Sequence, residues 1–321
     1  MAFSLGTLSA YTRQQVKPLL QAAVFSAKTQ QLIKSKGITL TNVKSSAAIP
    51  QFDTDAVFGT QSCSFDASGT TSFTQRTVTV GKIKVEEKLC PKDMEAYFLQ
   101  EALKAGSTYE DFGNAEFQAA YLERKNLKIA SQLETAIWQG DTASYSPNIN
   151  KFDGLQKLIA AGSPVNANVS GYTGIATVTT LSASNIINVV KGVKNAIPAA
   201  LKGMTDVVIF CGYDVYDMYV DAGVAANLFH YDFNDKSNYG GLKVPGTGIM
   251  LEAVHGLDGT GDLYAMRLSN VVEAVDLQGE EENYKMWYSE DNNDVRFRAE
   301  WKYGVNVAYT TEVVSFLAAM P

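Results

Sequence analysis

An α+β fold is predicted from three stretches of this 321-residue chain. Residues 114–139 have the composition and period of one long amphipathic helix. Val207–Cys211 is an apolar run set between two helical patterns. Val295, Phe297, Ala299 and Trp301 alternate with Arg296, Arg298, Glu300 and Lys302, as a half-buried strand requires.

The first 37 residues are polar, with weakly helical apolar spacing at Val16, Leu19, Leu20 and Val24. They read as an arm that docks on something. Residues 38–90 predict a long two-stranded hairpin. Its outgoing limb is ITLTNVKSSAAIPQF, its tip is DASGTTS and its return is FTQRTVTVGKIKVEEKLC. Val78 and Val80 share one parity of the return limb, and Ile83 and Val85 the other, so a bulge or bend is expected at Gly81. A hairpin with so little apolar surface cannot hold itself down, which points to support from another subunit.

Pro91 opens a short helix, PKDMEAYFLQEAL, which Gly106 ends. The long helix follows, with Asn114 as cap, Glu116 in the first turn and Gly140-Asp141 as its stop. At about 1.5 Å per residue it would be about 39 Å long. Ala119, Leu122, Ile129, Ala130, Leu133, Ala136 and Ile137 fall on one face, with Asn126 among them as a core amide. Glu123, Arg124, Lys125, Lys128, Gln132 and Glu134 fall around the others, and Ala120, Leu127 and Trp138 make a narrower second strip. Helix 184–197, stopped by Pro198, then Val207–Cys211 and helix 213–222 form an α/β-like unit. Residues 223–262 read as loops with short strands, and LYAMRL and SNVVEAVDL follow. After Gly304 the final alternation resumes through Val305, Val307 and Tyr309 to Val313. These last strands are expected to cover the long helix, which makes 178–276 an insertion within one domain.

No run approaches the about 18 apolar residues that span a bilayer, and the first residues lack the pattern of a signal peptide. Three cysteines, Cys63, Cys90 and Cys211, fit a reducing compartment better than a disulfide framework. The net charge of −7 argues against a protein that mainly wraps nucleic acid. That charge is unevenly spread. Before Asp53 there are six cations (Arg13, Lys17, Lys28, Lys34, Lys36 and Lys44) and no carboxylate, so the rest carries 21 cations against 34 anions, a balance of −13. A basic arm on an acidic body suggests self-association or an acidic partner.

Catalytic chemistry finds little support. His230 and His255 are the only histidines, and Cys211, at the end of VVIFC, is the best nucleophile-like position but reads as core. Zinc-ligand spacing is absent. LDGTGD (257–262) and EDNND (290–294) do not match a calcium loop and read as turns.

The order of basic arm, extended loop, long helix, inserted α/β unit and final strands resembles the HK97-like major capsid proteins of tailed phages. RLSNVVEAVDL followed by DVRFRAEWKYGVNVAYTTEVV resembles their closing sheet. FTQRTVTVGKIKVEEKLCPKDMEAYF is similar to the loop return in capsids of Bacteroidota phages, including crAss-like ones. The resemblance implies an α+β HK97-like fold with an N-terminal arm (1–37), an extended E-loop (38–90), a P-domain beginning at 91–177 with its spine helix at 114–139, an inserted A-domain (178–276) and P-domain closing strands (277–321). It also implies a structural protein, not an enzyme, without a cofactor. Such a protein self-assembles as pentamers and hexamers into an icosahedral shell around double-stranded viral DNA. Its place is the virion, after assembly in the host cytoplasm. Its partners are other copies, scaffolding, portal and auxiliary capsid proteins, and packaged DNA bound on the inner face without sequence specificity; no membrane is involved. No scaffolding extension precedes the arm, so scaffold is expected to be separate, already removed or dispensable. Arg13, Lys17, Lys34, Lys36, Lys44, Phe73 and Arg76 are the candidate subunit-interface residues. Some capsids of this fold link a loop lysine to an asparagine, which draws Lys44, Lys82 or Lys84 and Asn306 into view without fixing a pairing. Two other readings stay open: an encapsulin-like shell around cargo enzymes, and a cysteine-dependent hydrolase on 178–276.

Overall fold

The computed structural model describes residues 27–61, 63, 68–90, 116–169, 171–172, 174–226, 241–276, 284–289, 291–292 and 294–321; of 116–120, 284 and 288 it describes the backbone alone. Arg13, Lys17, the helix expected after Pro91, Asn114 and His230 therefore lie outside the described residues.

The first sheet is built on one long strand, β12 (Asp294–Val307). On one side β12 pairs antiparallel with β4 (Gly81–Leu89). On the other it pairs with β11 (Tyr284–Ser289) and, further along, with β10 (Val271–Val275), both antiparallel. Parallel to β10 runs β1 (Ile38–Leu40). The alternation read in the sequence holds: Val295, Phe297, Ala299 and Trp301 are buried. Phe297, Ala299 and Trp301 face the long helix, α2 (Glu116–Gln139), in one apolar cluster with Leu133, Ala136, Ile137 and Trp138. Tyr121 meets the Phe297 ring edge-on at 6.0 Å. The closing strand thus covers the helix as expected.

Two charges on that helix depart from the expected surface. Glu134 is fully buried. Lys125 pairs with Glu87 of β4 and sits 5.8 Å from the Phe297 ring. In both cases a neighbouring element covers a flank that helical spacing alone leaves open. Trp138, from the narrower strip, is also fully buried, so the helix is covered on two sides.

The second sheet has the order β5-β13-β9-β6-β8-β7. These strands are β5 (Val165–Asn166), β6 (Val207–Cys211), β7 (Leu242–Lys243), β8 (Met250–Ala253), β9 (Leu263–Arg267) and β13 (Val314–Phe316). A short helix, α3 (Leu155–Ala160), precedes β5 and packs against the first core. Helices α4 (Ile186–Ala196) and α5 (Tyr213–Ala225) pack on the second sheet, burying Ile186, Val189, Val190, Val193, Val215 and Tyr219 against Ile209, Leu251 and Val314.

Sheet membership divides the chain differently from the expected bounds. β10, placed in the 178–276 insertion, belongs to the first sheet, and β13, placed with the closing strands, belongs to the second. The final alternation is broken by a 3₁₀ turn at Thr310–Glu312 that carries the chain from one sheet to the other. The 38–90 hairpin is likewise shorter than expected. Only β2 (Ser46–Thr54) and β3 (Thr71–Thr79) pair with each other, whereas β1 and β4 enter the first sheet. Ahead of β1, helix α1 (Lys28–Lys36) lies against the C-terminal half of α2.

Candidate assembly surface

The hairpin leaves the body at Gly81, where the sequence predicts a bend. A Cβ there would stand 1.9 Å from the Lys151 carbonyl oxygen, so glycine lets the backbone cross at contact distance. Below the bend β4 runs in the sheet; above it β3 turns away with β2 as its only strand partner among the described residues.

The root of the hairpin lies on the face of the first sheet opposite α2. Val43, Ile49, Val78 and Val80 pack with Val272, Ala274 and Ala308. Polar contacts reinforce it: Phe52 N–H donates to the Tyr309 hydroxyl at 3.0 Å, and that hydroxyl donates to the Phe52 carbonyl at 3.1 Å. Asn306 donates to the Thr77 carbonyl at 2.7 Å and accepts from Arg76 at 3.3 Å. A cavity of about 100 Å³ beside it, lined in part by Thr77, Gly81, Lys151 and Asn306, is smaller than a typical small-molecule site.

From Phe52 outward the side chains lose this cover. Phe52 and Phe73 are 55% and 76% exposed, and Phe58, further out, is 98% exposed. Exposed aromatic side chains on a thin ribbon make it the candidate contact surface. The expected support by a second chain therefore concerns the outer half, since the root rests on its own subunit.

The predicted interface residues separate into groups. Phe73 stands on the open part of the ribbon. Lys34 and Lys36 are exposed on the last turn of α1, where cations suit the helix dipole. Lys44 and Arg76 have partners in their own chain. Lys44 shares the Asp276 carboxylate with Lys302, and these two lysines hold that carboxyl below its usual range. Arg76 bonds Asn306, and burial lowers its guanidinium pKa. Asn306 is itself 3% exposed, and Lys84 pairs with Glu86 at 2.9 Å.

The outward face of β4 and β12 carries a lattice of ion pairs. Arg298 reaches Glu300 at 2.5 Å and Glu86 at 3.4 Å, while Lys88 and Arg296 both meet Asp294 at 2.9 Å. Among the described residues β4 is an edge strand, and alternating charges on an edge discourage unwanted strand addition.

Cys211 is fully buried, and burial raises its thiol pKa strongly, which is the reverse of an activated nucleophile. Asp258 of the LDGTGD run accepts from the Tyr213 amide at 2.8 Å, and Gly259 and Gly261 take positive φ, so the run is a turn. Among the described residues no group of three or more His, Cys, Asp or Glu could hold a metal, and no helix is long and apolar enough to cross a membrane.

Sequence reasoning missed Tyr309 and Glu134. Their partners lie 257 and 105 residues away, at separations where no local pattern signals a contact.

No protein-family model matches the chain, and no curated protein matches it in sequence. Solved structures do. The capsid of an empty GTA particle aligns over 97% of this chain and 96% of its own, with a TM-score of 0.58 at 10% identity. The capsid of Myoviridae phage XM1 covers 98% and 99%, with a TM-score of 0.57 at 12% identity. A chain from Mycobacterium phage Adephagia covers 98% and 96%, with a TM-score of 0.55 at 13% identity. Likeness over nearly the full length of both partners gives the chain the α+β, HK97-like capsid fold.

Proposed function

We propose that this chain is the major capsid protein of a tailed phage, assembling as pentamers and hexamers into an icosahedral shell around double-stranded DNA. The observation that carries the reading is the hairpin: a ribbon anchored at its root and lined further out by exposed aromatics, in a fold shared with phage capsids. The outer ribbon, with Phe73, lies on a neighbouring subunit. Arg13, Lys17, Lys34 and Lys36 of the arm meet acidic surface on a neighbour, and packaged DNA on the inner side, without sequence specificity. Lys44 and Arg76 act one step back, by fixing the hairpin root.

The role is structural, with no enzymatic step and no cofactor. Scaffolding, portal and auxiliary proteins complete the particle, which assembles in the host cytoplasm and persists as the virion shell. The passage FTQRTVTVGKIKVEEKLCPKDMEAYF supports a source among Bacteroidota phages of the crAss-like kind. Negative-stain imaging and sedimentation of the purified protein, at low and high salt, test the reading. Closed shells that weaken as ionic strength rises are expected. A protein that stays between monomer and tetramer under every assembly condition would overturn it.

A further inference from the structure

The chain passes between the two sheets at two places that lie side by side. One passage runs from β9 to β10 through the 3₁₀ turn Leu268–Asn270, the other from β12 to β13 through Thr310–Glu312. Strand pairs bracket them, Ala265↔Val314 in the second sheet and Val271↔Val307 in the first. Between these pairs the ladder is interrupted, so the main-chain groups there need other partners. Asn270, 1% exposed, supplies them. Its side-chain oxygen accepts the Tyr309 amide at 2.7 Å, and its side-chain N–H donates to the Tyr309 carbonyl at 2.8 Å. Its own main-chain carbonyl accepts the Ala308 amide at 2.9 Å. A carboxamide carries donor and acceptor together and so stands in for a strand residue. At the second-sheet end of the two turns, Arg267 donates to Glu312 through Nε at 2.9 Å and Nη2 at 2.5 Å.

The residue held in this seam also holds the hairpin. While Asn270 fixes the Tyr309 main chain, the Tyr309 hydroxyl accepts the Phe52 amide and donates to the Phe52 carbonyl. Gln51 adds a bond to the carbonyl of Ala308. The other polar ties of the root stay within the first sheet: Lys44 ends on Asp276, just past β10, and Arg76 on Asn306 of β12.

We propose that Asn270 and Tyr309 are positioning residues that couple the hairpin to the seam between the two sheets. The coupling belongs to one chain and does not depend on the shell reading. What strains the seam is passed to the ribbon, and by linkage a contact that fixes the ribbon steadies the seam by the same factor.

Hydrogen exchange tests this on the full-length protein, at a concentration where wild type and variants sediment alike. The amides that pair β2 with β3 are read, because a hairpin without its anchor is marginal. Amides between β4 and β12 serve as internal reference for global stability. Asn270→Ala should lower the relative protection of the hairpin about threefold to tenfold, the worth of a hydrogen bond or two, although its own bonds go to Tyr309 and Ala308. In a Tyr309→Phe background the same change should lower it less than about twofold, since the tie that passes the effect on is gone. Unchanged hairpin protection in Asn270→Ala would overturn the coupling, as would an equal loss in both backgrounds. Should Asn270→Ala fail to fold, Glu312→Gln, which cuts the Arg267 pair in the same seam, takes its place and is judged by the same two outcomes.

Discussion

Phe52 and Phe73 face each other across the two strands of the hairpin, with ring centroids 5.1 Å apart and planes inclined by 45°. The pair stiffens the ribbon where its own-chain support stops, and it still presents most of both rings to solvent. Replacing both by serine should therefore leave the melting temperature nearly unchanged, since exposed side chains contribute little to the monomer. Assembly should be lost or strongly reduced. Sedimentation alongside calorimetry checks this, and normal shells from the double variant would show that the ribbon makes no essential contact.

The faces of the long helix make a second prediction. Leu133→Ala, at a buried position, should destabilise by about 2–5 kcal/mol. Lys128→Ala, at an exposed one, should change stability by no more than about 0.5 kcal/mol. Lys125 is unsuitable as the control, because its pairing with Glu87 adds a partly buried contact. Urea unfolding of the two variants orders them.

Gly81 and Gly59 provide a matched pair. An added methyl at Gly81 collides with the Lys151 backbone, whereas at Gly59 it meets nothing within 4 Å. Gly81→Ala should cost about 1–3 kcal/mol or shift the hairpin, and Gly59→Ala should be close to neutral. Denaturation midpoints compare them, and equal midpoints would remove the close crossing from the account.

Asp262 carries a pH dependence of its own. It accepts from Gln156 of α3, from Tyr264 and from the Ala318 amide, and burial pushes its carboxyl up to about 6. A raised carboxyl contributes stability in full below its unfolded value near 4 and loses it as pH rises through about 6. Relative to the wild type, Asp262→Asn should thus gain stability from pH 4 to pH 7, by on the order of 1 kcal/mol. Thermal melts across that range check it. A constant gap between the two proteins would mean that Asp262 does not titrate there.

How much of this was legible in the sequence depended on whether one face of an element alone was buried. Val295 to Trp301 announced themselves because charged side chains alternate with them on the open face. From Tyr303 to Val307 every residue is buried, since the long helix covers one face and the hairpin root the other, and the alternation carries no information there. Gly81 was legible because the parity of its neighbours changes across it. Glu134 was not: a carboxylate on a helix looks the same whether it meets water or the first turn of a segment 105 residues earlier. Phe73 entered as a candidate through the resemblance, but Phe52 and Phe58 did not, because a phenylalanine has the side chain of a core residue and only the fold shows these two exposed.

The place of β13 has a consequence for how a subunit comes into being. This strand joins β5, which it meets in parallel at Val165↔Val314, to β9, and Ala319 continues the attachment by bridging to Thr180. Every other strand of the second sheet is synthesised before it. The second sheet must therefore wait, incomplete, until residues 314–316 arrive, and contacts over such separations form slowly. A nascent chain has its hairpin and spine helix on hand well before this sheet can close. Order of synthesis thus places completion of the second sheet late.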